Sequence, residues 1–154
     1  MAEDLRIELP IESERLVIRS LVIEDAVDLH EDEEWIREKI DRFERDGGMS
    51  LWAAVERESG KAVALAGLQW EQIDGRRELD LGCVVANHEQ SRGYGTEASE
   101  AVVQAAFAAG FERITAMTGS DNEVALHLLE KLKFVPHGEA NHEGRLYAFF
   151  VRQR

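Results

Sequence analysis

Cysteine occurs once in these 154 residues, at Cys83, and proline only twice, at Pro10 and Pro136. A single thiol closes no intrachain disulfide, so the chain is not a disulfide-stapled scaffold. Cys83 lies in an apolar run and is expected to be buried and inert in a reducing compartment. With no Pro-rich stretch, repeat or low-complexity tract to mark a linker, residues 1–154 are expected to form a single domain. No uninterrupted apolar run approaches the ~20 residues that a membrane helix requires. Residues 1–6 have neither the basic nor the apolar region that opens a secretory signal, and the expected location is the cytoplasm. Basic residues are scarce as well, 18 Lys and Arg against 31 Asp and Glu, for a formal net charge of -13. That balance argues against nucleic acid as a partner. It favours solubility and is compatible with a cationic substrate. The excess is uneven, because residues 24–46 hold eleven acidic against four basic side chains.

What is present is enough for a packed core, since 44% of the residues are hydrophobic. Residues 15–21 are β-rich and predict a first strand. Glu24 and Asp25 open a helix. Trp35, Ile36, Ile40 and Phe43 recur near helical spacing up to Gly47-Gly48, which ends a second one. Strands are expected at 51–55, 62–70 and 78–85, the last two joined by the hairpin signal Asp74-Gly75. An Ala-rich helix over 97–109 carries Ala98, Val102 and Ala106 on one stripe, and Gly110 stops it. A strand follows at 114–118. Asp121 or Asn122 then caps a helix running to about Lys133. Phe134-Val135-Pro136 leaves that helix, and 146–151 is a final strand. This order is mixed α/β.

The most informative stretch is Gln90-Ser91-Arg92-Gly93-Tyr94-Gly95-Thr96, between the apolar run 81–86 and the Ala-rich helix. Strand, glycine loop and helix make an anion cradle. Glycines let the backbone turn and approach a ligand closely. The first turn of the helix leaves N–H groups without intrahelical partners, and its dipole favours a phosphate. Arg92 adds charge. Residues 93–98 also spell G-x-G-x-x-A, the dinucleotide fingerprint, but the following strand over 115–118 ends without the acid that would bind a ribose, and Asp121 has the position of a helix cap.

The same loop resembles Q/R-x-x-G-x-G/A, the acyl-CoA pyrophosphate loop of the GNAT superfamily of N-acetyltransferases, and the wider run 90–98 is closest to its ribosomal-protein-alanine N-acetyltransferase-like subgroup. Asn122-Glu123-Val124-Ala125, continuing to Leu128, Lys131 and Phe134, is similar to the superfamily's second signature. In that signature a glycine precedes the Phe, where this chain has Lys133. The resemblance covers nearly the whole chain. It implies a mixed α+β fold with a central, mostly antiparallel, splayed sheet flanked by helices. It implies acetyl-CoA as co-substrate, bound by Val85, Gln90, Arg92, Gly93, Tyr94, Gly95, Thr96 and Asn122, with no metal. The backbone of 83–85 would pair with the pantetheine amides as an added strand does. Asn122 is equally suited to a helix N-cap.

Glu78 and Asp80 alternate on one strand face. In the superfamily a Glu often sits two residues before the Gly of this strand, the place Asp80 holds before Gly82. A carboxylate there would take the proton of the attacking amine, although a solvated strand face would have the same pattern. The usual general-acid positions, a Tyr or a Ser in the last helix, are Leu129 and Ala125 here. His127 is rotated away from them, and Tyr147 and His88 are the remaining candidates. The acids at 31–34, the tryptophans Trp35, Trp52 and Trp70 and the 140–144 turn are candidates for the acceptor side, with a solvated face and core packing as their ordinary roles. The function implied is transfer of acetyl to a primary amine, a protein N-terminus, basic peptide or small amine, by direct attack. A non-catalytic acyl-CoA-binding regulatory module is the alternative, and a homodimer is compatible with the resemblance.

Overall fold

Alternation and burial explain the first strands. The structure, a computed structural model describing residues 5–86 and 89–154, opens with β1 (Ile11–Glu12) and β2 (Leu16–Arg19), where Leu16 and Ile18 are buried and Val17 and Arg19 are half-buried. β1 has only two residues, too few for a periodic signal. The acidic segment forms α1 (Asp25–Leu29) and α2 (Glu33–Arg45). Asp32 caps α2 by accepting from the N–H groups of Glu34 (2.8 Å) and Trp35 (3.2 Å), a cap that typically contributes about 1 kcal/mol.

β3 (Leu51–Glu56) and β4 (Ala62–Ile73) follow, and β4 is buried continuously from Ala62 to Leu68. A strand covered on both faces loses its alternation, which is why this run reads as apolar throughout. Asp74 (φ 49) and Gly75 (φ 76) make the expected hairpin turn into β5 (Arg76–Val85). α3 (Tyr94–Ala109) begins three residues before the expected start, and β6 (Arg113–Thr118) and α4 (Glu123–Lys131) follow.

Beyond α4 the structure departs from expectation. Residues 135–142 form a strand, β7 (Val135–His142), which pairs with β8 (Arg145–Gln153). Proline disguised it, because Pro136 has no N–H for a ladder. β7 is an edge strand whose register shifts between Pro136 and Glu139, and such positions tolerate proline. The expected 140–144 turn shrinks to Glu143 and Gly144, both at positive φ (51 and 80).

The sheet order is β1-β2-β3-β4-β5-β6-β8-β7. Every neighbouring pair is antiparallel except β5 and β6. One face packs on α3 and α4 through Trp52, Leu68, Leu81, Val102, Phe107 and Leu129. The other carries α1 and α2 through Leu29, Ile36, Leu51 and Leu65.

Candidate active site

The parallel pair opens the sheet. β4 and β5 pair along their whole length, from Ile73↔Arg76 to Ala64↔Val85. On its other edge β5 meets β6 only at Asp80↔Thr115. Residues 81–85 therefore diverge from β6 and leave the backbone on that edge without a strand partner among the described residues. The glycine loop and α3 stand directly above this divergence.

Gly93 caps α3 at φ 80 with no side-chain cap bond, and Ser91 also has a positive φ, 72. The first hydrogen bond of the helix runs from the Glu97 N–H to the Gly93 carbonyl, 3.0 Å, so the N–H groups of Tyr94, Gly95 and Thr96 precede the ladder. Gly95 is favoured by close contact: a Cβ there would lie 3.1 Å from Cγ2 of Val85 and 3.6 Å from Sγ of Cys83. The helix start thus rests on the divergent end of β5. Arg92 is exposed and pairs with Glu89 at 3.6 Å. Gln90 and Ser91 are exposed, and Thr96 and Val85 are half-buried.

Tyr94 differs from expectation, since its side chain is buried (2% exposed) and its hydroxyl donates to Glu56. Only its backbone is available to the cradle. Asn122 is the N-cap of α4, its Oδ1 accepting from the Ala125 N–H at 3.1 Å. Cys83 is half-buried, but its thiol is turned inward toward the Gly95 carbonyl (3.9 Å), and burial pushes its pKa up.

Glu78 and Asp80 occupy the other half of β5. Neither is a solvated strand residue, at 6% and 8% exposed. Both lie on the face opposite α3, as do their register partners Glu71 and Gln69 on β4. Glu78 is held by Arg113, with Nη2 to Oε2 at 2.8 Å and Nε to Oε2 at 3.1 Å. Glu71 is paired with Arg42 of α2 and approached by His142 Nε2 at 3.4 Å. Two acids face each other across the ladder, and each has its own arginine. Among the described residues Asp80 has no cation in contact. Thr115 Oγ1 donates to its Oδ1 at 2.8 Å. Burial pushes the Asp80 carboxyl well above the usual carboxylate range, opposed by the Thr115 bond and the more distant charge of Arg42 and assisted by the charges of Glu71 and Glu78. Across from it, Oε1 of Gln69 is buried without a donor among the described residues. The tip of β7–β8 packs on the end of β4 beside this cluster. Asp74 Oδ1 accepts from the Asn141 N–H (2.8 Å), and His142 Nδ1 lies 3.0 Å from the Gln72 carbonyl.

The other sequence candidates divide plainly. His127 is exposed, and Leu129 is buried in the core. Tyr147 is half-buried beneath Arg145, and His88 lies outside the described residues. Trp52 is fully buried and donates Nε1 to the Gly48 carbonyl, so it is core. Trp70 lines a concavity of about 480 Å³ with Arg77, Phe111 and Arg113, at the end of β5 away from the loop.

Sequence reasoning missed the loop's support. Ser13 and Arg15, in the β1–β2 turn, bind Glu97 of α3: Ser13 Oγ donates to Oε2 (2.6 Å), the Arg15 N–H to Oε2 (2.8 Å), and Arg15 Nε to Oε1 (2.7 Å). Arg15 Nη1 also donates to the Arg92 carbonyl (2.9 Å), and its guanidinium lies 4.5 Å from the Tyr94 ring centroid. These residues are about 80 positions apart, and no local pattern connects them.

A mostly antiparallel sheet split at its parallel pair, with a glycine cradle over the split, is the architecture of a coenzyme-A-dependent acetyltransferase. The family model described as the acetyltransferase (GNAT) domain matches residues 3–135, and the chain belongs to that family. GNAT acetyltransferases use acetyl-CoA. Over 106 residues, 68% of this chain, it is 26% identical to the uncharacterized protein YkkB of Bacillus subtilis (strain 168), and the match spans 61% of that relative's length. Its fold is shared with an acetyltransferase from Agrobacterium tumefaciens str. C58, with a TM-score of 0.80, 16% identity, and coverage of 98% of both chains. It is shared too with RimL, a ribosomal alpha-N-protein acetyltransferase in complex with coenzyme A, with a TM-score of 0.73, 12% identity, and coverage of 95% of this chain and 98% of that one.

Proposed function

We propose that residues 1–154 are a single cytoplasmic N-acetyltransferase domain that moves acetyl from acetyl-CoA to a primary amine, on a protein N-terminus or a small molecule, by direct attack. The observation that carries this reading is the coincidence of the β5–β6 divergence with the glycine cradle at the start of α3.

The residues fit the coenzyme. Gly93 makes the left-handed turn into α3, Gly95 lets the helix start sit against β5, and the N–H groups of Tyr94, Gly95 and Thr96 would face an anion with the helix dipole behind them. Arg92 and Gln90 flank it. The open edge of 83–85 would hold the pantetheine amides, and the Asn122 amide is left one side for the coenzyme after capping α4. Acetyl-CoA, when bound, supplies the activated acetyl carbonyl.

Asp80 is the proposed base. It sits where the two strands part, beside the open edge of β5, and burial raises its affinity for a proton above that of an ordinary carboxylate. Glu78 acts through it, since its charge helps to raise the Asp80 pKa while Arg113 holds it in place. Gln69 offers an acceptor to an N–H beside Asp80. A covalent route through Cys83 is disfavoured by its inward, high-pKa thiol. Ala125 and Leu129 donate no proton to a departing thiolate, a role left to water. RimL's action on a protein amine supports a peptide N-terminus as one acceptor class.

Calorimetric titration with acetyl-CoA, with NADH and NADPH as controls, tests the coenzyme assignment. Micromolar binding of acetyl-CoA alone is expected. Gly93→Asp puts a carboxylate in the cradle at a left-handed position that Asp tolerates. It is expected to abolish that binding and keep the fold, and unchanged affinity would remove the cradle assignment. Turnover is then read as thiol release over a panel of peptide N-termini and small amines. Acetyl-CoA binding with no turnover on any amine would favour a non-catalytic module.

A further inference from the structure

A phosphate cradle must keep other negative groups away from its N–H donors, and this one has an acid built into it. Glu97 belongs to the first turn of α3. A carboxylate there is attracted by the same helix dipole that attracts a phosphate, so an internal anion and a bound one compete for one positive region. Just before the helix, the Arg92 carbonyl is a second group of the wrong sign.

Both are drawn aside by one residue. Arg15 spends Nε and its backbone N–H on Glu97 and Nη1 on the Arg92 carbonyl. Its Nη2 lies 3.4 Å from where a Gly93 Cβ would stand. The turn that carries Arg15 is itself fixed, because the Arg57 N–H donates to the Arg15 carbonyl (2.8 Å) and Arg57 Nη2 to the Ser13 carbonyl (3.0 Å). Burial would raise the Glu97 carboxyl, but the bonds from Ser13 and Arg15 together hold it below its ordinary value, so the acid stays ionised and its charge has to be managed rather than protonated away.

We propose that Arg15 is a positioning residue for the coenzyme cradle, withdrawing the Glu97 carboxylate and the Arg92 carbonyl from the first turn of α3 so that the pyrophosphate of CoA meets N–H groups alone. The proposal rests on the coenzyme reading above. It also predicts a dependence that a plain structural tie would not have: the harm of losing Arg15 should require the charge on Glu97.

The experiment is calorimetric titration with CoA of the wild type, Arg15→Met, Glu97→Gln and the double variant, with a melting curve of each. Arg15→Met is expected to weaken CoA about tenfold, since it frees a carboxylate at the helix terminus. Glu97→Gln alone should stay within about threefold of the wild type. The double variant should recover most of the affinity even though its melting temperature stays low. Arg15→Met with wild-type affinity overturns the proposal, as does a double variant as weak as Arg15→Met. Should Arg15→Met be unfolded at the assay temperature, Arg15→Lys replaces it. A single ammonium lacks the planar fork that aims Nε at Glu97 and Nη1 at the Arg92 carbonyl, so a severalfold loss is expected and unchanged affinity overturns the proposal. A wild type that binds no CoA defeats the coenzyme reading itself, whereas binding that ignores Arg15 defeats only this inference.

Discussion

The two halves of β5 solve opposite problems. Its C-terminal half, 81–85, diverges from β6 and presents backbone, with the glycine loop above it. Its N-terminal half is closed, and the acids on that face are matched: buried Glu78 to Arg113, buried Asp80 to Thr115, and half-buried Glu71 opposite to Arg42. A backbone site needs little from side chains beyond their absence, so its signature is glycine at fixed spacing. A buried charged site needs every partner present, because an unpaired buried charge costs several kcal/mol. Its partners come from α2, β4, β6 and the β7–β8 tip.

The sharpest way to break this contrast is at Asp80, which is buried like Glu78 but has no cation in contact among the described residues. Asp80→Asn keeps the Thr115 contact and removes the proposed base, and turnover is expected to fall by about 10²- to 10⁴-fold with CoA affinity unchanged. Loss of CoA affinity in that variant would mean that the two halves are not separable. The same variant has a stability signature. The folded-state pKa of Asp80 is raised, so the folded chain holds a proton that the unfolded chain releases. The stability this contributes is full below the ordinary carboxylate pKa and is lost as pH rises from there toward the raised value. Asp80→Asn should lack that decline, which urea titrations at several pH values would detect.

Next in size is Arg113→Met, which leaves Glu78 buried without its partner. A loss of about 2–3 kcal/mol is expected, moderated because Arg113 is itself about one-third exposed. Urea unfolding within 0.5 kcal/mol of the wild type would show that this half of β5 does not depend on matched charge.

The smallest effect concerns the end of α4. Lys133 has φ 63 where the family signature has glycine. A side chain in the left-handed region costs about 1 kcal/mol, so Lys133→Gly is expected to stabilise the chain by roughly that amount and to leave CoA affinity alone. A destabilised variant would mean that the lysine side chain makes up for its backbone strain.

Sequence by itself reached a definite part of this protein. Residues 78–98 contain strand, loop and helix in one continuous stretch, so their periodicity and glycine spacing were legible, as was the Asp74-Gly75 hairpin. β7 was not legible, because an edge strand tolerates the proline that argues against a strand anywhere else. The burial of Glu78 and Asp80 was hidden as well, since the arginine and threonine that allow it are 35 residues further along the chain. Tyr94 read as a cradle residue, but its ring packs into the core and its hydroxyl meets Glu56, so the side chain turns inward. Local backbone chemistry is written in neighbouring residues, and the sequence alone determined the strand, glycine loop and helix of residues 78–98 and the order of elements around them. Which acid would be buried, which cation would hold it and which arginine would guard the cradle were decided by tertiary structure, because charge is matched through space and the pairs form only once the sheet brings distant segments together.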